Sequence, residues 1–140
     1  MLQEERKYQF RERLSVVHPR NIRDRSLEKS TDELALPDSF LLSIPADAGD
    51  VLLTGARDFC DYLFESMDIS AAVSRKGTGL VAVKVDPTYG TYKAFRAEVT
   101  SEQILITAHD ERGAAQGLFF LEEEMSARHA PYLKYGVTES

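Results

Sequence analysis

The 140-residue chain has a single cysteine, Cys60, no apolar run longer than a few residues, no internal repeat and no low-complexity tract. One cysteine forms neither an internal disulfide nor a cysteine metal cluster, which fits a reducing compartment. No stretch approaches the roughly 20 apolar residues that a membrane-spanning helix needs. The first residues, Met1 to Lys7, are polar and lack an apolar h-region, so no secretory signal is read and a cytoplasmic location is expected. What is present suits one ordinary domain. Hydrophobic residues make up 43% and charged residues 29%, the balance of a soluble globular protein able to bury a core without metal or disulfide support.

The net charge of −6 is unevenly distributed. Residues 1–30 hold 8 Lys/Arg against 5 Asp/Glu, and the other 110 hold 9 against 18. An acidic body disfavours nonspecific nucleic-acid binding, because phosphate backbones attract positive charge. The basic arm is the exception to that balance.

Patterning predicts the elements. Tyr8, Phe10, Leu14 and Val16 share one parity over residues 6–17, which suits a strand ended by His18-Pro19. Residues 20–38 are charged and aperiodic, and are read as a connection with a short helical turn near Thr31 to Leu34. Ser39 to Ile44 is a short apolar run stopped by Pro45, expected to be a buried strand. Asp47 or Asp50 is placed to cap a helix. On that helix Leu52, Ala56, Phe59, Leu63 and Met67 recur at helical spacing. Short strands are expected over 71–74, 81–85, 95–99 and 104–108. The last two are joined by Thr100-Ser101-Glu102-Gln103 as an antiparallel hairpin.

A second helix starts near Asp110, with Ala114, Leu118, Leu121 and Met125 on one stripe. Gly113 and Gly117 lie beside that stripe. Each costs about 1 kcal/mol of helix propensity, so a close approach of bare backbone to the sheet is expected in return. Residues after Met125 read as loop. These elements predict an α+β fold: a two-layer sandwich with a mostly antiparallel sheet and two helices packed on one face.

Residues 93–125 carry a resemblance. Lys93-Ala94-Phe95-Arg96-Ala97-Glu98-Val99, then Ile104-Leu105-Ile106-Thr107-Ala108, then Asp110 through Leu121 with Gly113, Gly117 and Leu118 in place, resemble the end of the N-terminal α/β accessory domain of glycoside hydrolases. Family 20 β-hexosaminidases have it, and α-glucuronidases and O-GlcNAcases have a similar one. Two positions depart from the pattern. Ser101-Glu102-Gln103 replaces the usual Asp-Gly turn, and Phe119-Phe120 replaces the usual Gln-Thr. The fold inference survives both, whereas assignment to one family does not.

The resemblance implies a non-catalytic scaffold domain. The catalytic (β/α)8 barrel of the same polypeptide would follow it, and carbohydrate would be the substrate of the parent alone. It divides the chain into an N-terminal strand and basic connection over 1–38, an accessory core over 39–126, and a connector toward a barrel over 127–140. The parent is then a glycoside hydrolase, and the separated domain is expected to expose its docking face and to self-associate through it.

Candidate sites are weighed against plainer readings, and no catalytic, cofactor-binding or metal-binding residue is assigned. His109-Asp110-Glu111 reads as a helix cap, since Asp110 can accept from the free N–H groups of the first turn. Glu122-Glu123-Glu124 point in directions about 100° apart, so they cannot flank one glycosidic bond and read as a solvated face. Arg75-Lys76-Gly77-Thr78-Gly79 lacks the phosphate-loop spacing and reads as a hairpin loop.

His18, His109 and His129 are too scattered in sequence to suggest a metal site, and Cys60 reads as a small core residue. Tyr8, Tyr89, Tyr92, Tyr132 and Tyr135 could stack on sugar rings, but no spacing singles them out; the tail pair could instead pack on the barrel. The alternative function is a binding module for an anionic polymer. It would use Arg6, Lys7, Arg11, Arg13, Arg20, Arg23 and Arg25, against the reading of a solvated arm already offset by its own acids.

Overall fold

Ten elements follow one another in the computed structural model, which describes His18 and residues 20–140. They are β1 (Glu33–Ala35), β2 (Ser39–Ser43), α1 (Asp50–Met67), β3 (Ser70–Ser74), β4 (Val81–Val85), β5 (Phe95–Val99), β6 (Ile104–Ala108), α2 (Glu111–Arg128), β7 (Tyr132–Lys134) and β8 (Gly136–Glu139). The strand expected over 6–17 lies outside the described residues. Six strands form one sheet in the order β3-β2-β4-β6-β5-β8, and β1 pairs with β7 in a small antiparallel sheet. The class is α+β, as the sequence predicts.

The sheet is mixed rather than mostly antiparallel. β3 with β2, β2 with β4 and β4 with β6 run parallel, while β6 with β5 and β5 with β8 run antiparallel. The cause is connection length. The segment between β2 and β3 contains a whole helix, and a helical crossover returns the chain to start a parallel neighbour.

Residues 75–80 then carry the chain across β2 to its far side, where the Gly79 N–H donates to Ser43 Oγ. Arg75 to Gly79 is therefore a crossing connection between strands of the same direction, not the expected hairpin loop. The β5–β6 hairpin is present as expected, with Thr100 N donating to Gln103 O at 2.9 Å.

Strand alternation puts one face of the sheet in the core. Leu42, Val81, Val83, Ala97, Ile104 and Ile106 are buried, whereas Leu41 and Lys84 are exposed. The expected helix stripes fill that core: Leu52, Ala56, Phe59, Leu63 and Met67 from α1, and Ala114, Leu118, Leu121 and Met125 from α2. Truncating Phe59 to alanine there would cost about 3–5 kcal/mol, because transfer and cavity terms add.

Two further expectations change. The segment near Thr31 to Leu34 is not helical but enters β1, and residues 127–140 are not a loop. Leu34 pairs with Leu133, and Ala97 pairs with Thr138. These strands are three or four residues long, too short to show a period in sequence, and their backbone groups find partners only across the fold.

Candidate functional site

Two caps fix how the helices begin. Asp110 is the N-cap of α2 and accepts from Gly113 N at 2.8 Å, while its other oxygen accepts from Lys93 N at 3.1 Å. Burial pushes its carboxyl up, but these two donors together with the nearby His109 and Arg112 charges outweigh burial and hold it below the usual carboxylate range. His109-Asp110-Glu111 is thus a capping segment, as read. Its histidine is held by the loop before β5, with Nδ1 3.0 Å from Tyr89 O.

The N-cap of α1 is Gly49, and neither Asp47 nor Asp50 serves that helix as expected. Glu111 substitutes from the neighbouring helix, accepting from Gly49 N and Leu52 N.

The seam between α1 and α2 holds the most concentrated chemistry among the described residues. Asp58, Tyr62 and Ser66 recur at helical spacing on α1, and Glu122 and Ser126 on α2. Tyr62 and Ser126 hydroxyls lie 2.6 Å apart. Burial, with the Glu122 charge adding to it and the Ser126 bond opposing it, pushes the Tyr62 phenol up to about 12.

His18 closes the seam. Its Nε2 lies 2.9 Å from Asp58 Oδ1, and its ring meets the Tyr62 ring edge-on at 5.4 Å. Asp58 is 5% exposed and Glu122 2% exposed. One ligand atom each from His18, Asp58 and Glu122 lies within 4.8 Å of the others.

Glu122 therefore does not belong to a solvated face. The stripe Ala115, Phe119, Glu122 turns it toward α1, while Glu123 and Glu124 are exposed. The histidines do not gather, but His18 meets two acids instead. A second, more polar stripe beside each apolar stripe is the signal in sequence that could have located this seam.

An open cleft of about 620 Å³ lies between α2 and the β5–β8 edge, lined in part by Val99, Phe120, Leu121, Tyr132, Leu133 and Val137. At its rim, Arg128 grips Glu33 with two hydrogen bonds, 2.9 Å from Nε and 3.0 Å from Nη2. Those bonds, against an opposing burial effect and with help from Ser30, hold the Glu33 carboxyl down at about 2.

The tyrosines do not form one platform. Tyr89 donates to Glu139 at 2.7 Å, Tyr132 donates to Leu27 O at 3.2 Å beneath Arg128, and Tyr92 and Tyr135 are exposed. Tyr8 lies outside the described residues.

Arginines of the basic arm serve the end of α1, whose last turn has no basic residue of its own. Arg20 pairs with Glu65 at 3.2 Å, Arg23 donates to Met67 O at 3.1 Å, and Arg25 pairs with Asp68 at 2.7 Å. Cations at a helix C-terminus complement its dipole. Arg6, Lys7, Arg11 and Arg13 lie outside the described residues. Cys60 is half-buried, and burial, with Asp61 adding to it, raises its thiol to about 11.

This architecture is found in known enzymes. No protein-family model and no curated protein sequence matches the chain. Solved structures do. A Streptomyces plicatus β-hexosaminidase in complex with its product GlcNAc matches with a TM-score of 0.64 at 15% identity, over 91% of this chain and 28% of that one. The family 20 β-N-acetylhexosaminidase of Streptomyces coelicolor matches with a TM-score of 0.61 at 17% identity, over 81% of this chain and 24% of that one.

A family 115 4-O-methyl-α-glucuronidase matches with a TM-score of 0.60 at 12% identity, over 76% of this chain and 18% of that one. The fold expected from residues 93–125 is the fold the chain has, and it is shared with part of each of these glycoside hydrolases. The chain spans about a quarter of the length of the hexosaminidases it matches.

Proposed function

We propose that the chain is a non-catalytic accessory domain of a carbohydrate-active enzyme, a glycoside hydrolase whose catalytic (β/α)8 barrel belongs to the same polypeptide. One observation carries the reading: a fold covering 91% of this chain makes up 28% of a β-hexosaminidase. The arrangement of groups is in keeping with a scaffold. Asp110 and Glu111 are occupied as caps, Glu33 is gripped by Arg128, and Asp58 and Glu122 are sealed between helices. Glycoside hydrolysis needs two carboxylates reaching one bond from opposite sides, and none of these five is placed to do so.

The surface available for docking includes the cleft beside α2 and the exposed Phe64, Tyr135 and Val137.

Expression of the 140 residues alone, and of the same coding sequence with its downstream continuation, tests the reading on aryl N-acetylglucosaminides and aryl glucuronides. Turnover is expected from the longer polypeptide only. Turnover at enzyme-like rates by the 140 residues, or a continuation without a barrel-length domain, would overturn it.

A further inference from the structure

We propose that His18, Asp58 and Glu122 form a site for a divalent cation of the zinc class. The three come from different parts of the fold: the segment before β1, α1 and α2. One imidazole and two carboxylates are a donor set that zinc accepts, with protein bonds of about 2.0–2.2 Å and room for a fourth ligand. An ion at that distance separates its ligand atoms by at most about 4 Å. Atoms already within 4.8 Å of one another would close on it through small rotamer adjustments.

Burial is the second observation. The Asp58 side chain is 4% exposed, and its Oδ2 has no hydrogen-bond partner among the described residues, Oδ1 being taken by His18. A buried carboxylate oxygen without a partner is costly, and a cation held against both carboxylates would remove that cost. Glu122 also holds another interaction in the fold, so the case rests on Asp58 and on the convergence of three donors.

The His18 side chain is 13% exposed, which leaves an entry path from solvent. The Tyr62 ring meets the His18 ring edge-on and so limits how the imidazole can turn. Bound there, the ion would clamp the N-terminal segment onto the helix pair. This inference does not depend on the parent being a glycoside hydrolase.

The 140-residue chain, stripped with chelator, is titrated with Zn²⁺ alone by calorimetry, and with Co²⁺ for its visible absorption. One ion per chain is expected. At a hundredfold excess over Kd, the melting temperature should rise by roughly 9 °C. His18→Gln and Asp58→Asn should each weaken binding by at least about tenfold and remove the Co²⁺ bands, whereas His129→Gln should leave both unchanged. Should Asp58→Asn not fold, by loss of its helical circular dichroism, the partly exposed His18→Gln decides alone. Absence of saturable binding, or binding that survives His18→Gln unchanged, would overturn the proposal.

Discussion

Glu111 sits in the first turn of α2 and accepts hydrogen bonds at the start of α1, 2.8 Å from Gly49 N and 3.0 Å from Leu52 N. Each helix thus begins at a carboxylate from the same two-residue stretch, Asp110 for its own helix and Glu111 for the neighbour. The free N–H groups of a first turn are ordinarily met by a local Ser, Thr, Asp or Asn. Here a residue 62 positions away meets them, so capping and docking of the two helices are one interaction.

Glu111→Ala is therefore expected to act as a lost cap on α1, although the change lies on α2. Loss of such a cap costs about 0.5–2 kcal/mol. Glu111→Gln should recover part of this, because its amide oxygen can still accept one bond. Urea denaturation followed by helical circular dichroism measures both. An unchanged midpoint for Glu111→Ala would mean that water satisfies Gly49 and Leu52 equally well.

The two glycines of α2 should differ sharply from each other. A Cβ on Gly117 would meet Ile106 Cγ2 at 2.8 Å, a branch methyl of a fully buried side chain that can yield only by a small local repacking. A Cβ on Gly113 would meet the backbone carbonyl oxygen of Ala94 at 2.5 Å, which cannot. Alanine in either place gains about 1 kcal/mol of helix propensity, against an overpacking cost of about 1–3 kcal/mol. Gly117→Ala is expected to destabilise mildly, while Gly113→Ala should lose the β5 start and cost distinctly more. Thermal unfolding of the two variants side by side gives the ranking, and equal values would contradict it.

The α2 glycines also show how much of the fold could be read in advance. Their spacing beside an apolar stripe predicts a close helix–sheet approach, and Gly117 against Ile106 and Phe95 is that approach. Strand positions were legible because one face is buried: Val81 and Val83, like Ile104 and Ile106, alternate with their neighbours. Strand direction was not legible. Alternation of period two is identical in parallel and antiparallel ladders, so direction is set by the connections: the helical crossover between β2 and β3 and the path of residues 75–80 across β2. β7 and β8 have no period of their own and are specified by Leu34 and by β5 across the fold.

The site was harder still. Asp58 and Glu122 lie on charged-looking helix stretches, and nothing local tells a carboxylate facing water from one facing another helix. His18 stands 40 residues from Asp58. Only the packing of α1 on α2 brings the three donors together.

Glu33 and Arg128 provide a pH test. The Arg128 hydrogen bonds hold the Glu33 carboxyl at about 2 in the folded chain, against an ordinary value of 4.5. A carboxyl with a depressed folded value binds fewer protons folded than unfolded, so its contribution is full above the unfolded value. It is expected to fade as pH falls from about 4.5 toward about 2. Glu33→Gln should remove this component and flatten stability against pH within that window, with little change in slope above it. Urea midpoints at a series of acid pH values check this, and an unaltered slope for Glu33→Gln would assign the acid sensitivity to other carboxylates.

Cys60 gives a prediction about reactivity rather than stability. The thiolate is the reactive form, and burial together with the Asp61 charge raises this thiol to about 11, from an ordinary value of 9.0. Near neutral pH the folded chain should react with a disulfide reagent far more slowly than a free thiol does, and unfolding in denaturant should restore the ordinary rate. Asp61→Asn is expected to speed the folded-state reaction only modestly, since burial is the larger of the two causes. Reaction of the folded chain at the free-thiol rate would mean that Cys60 stands in solvent rather than packed against the core.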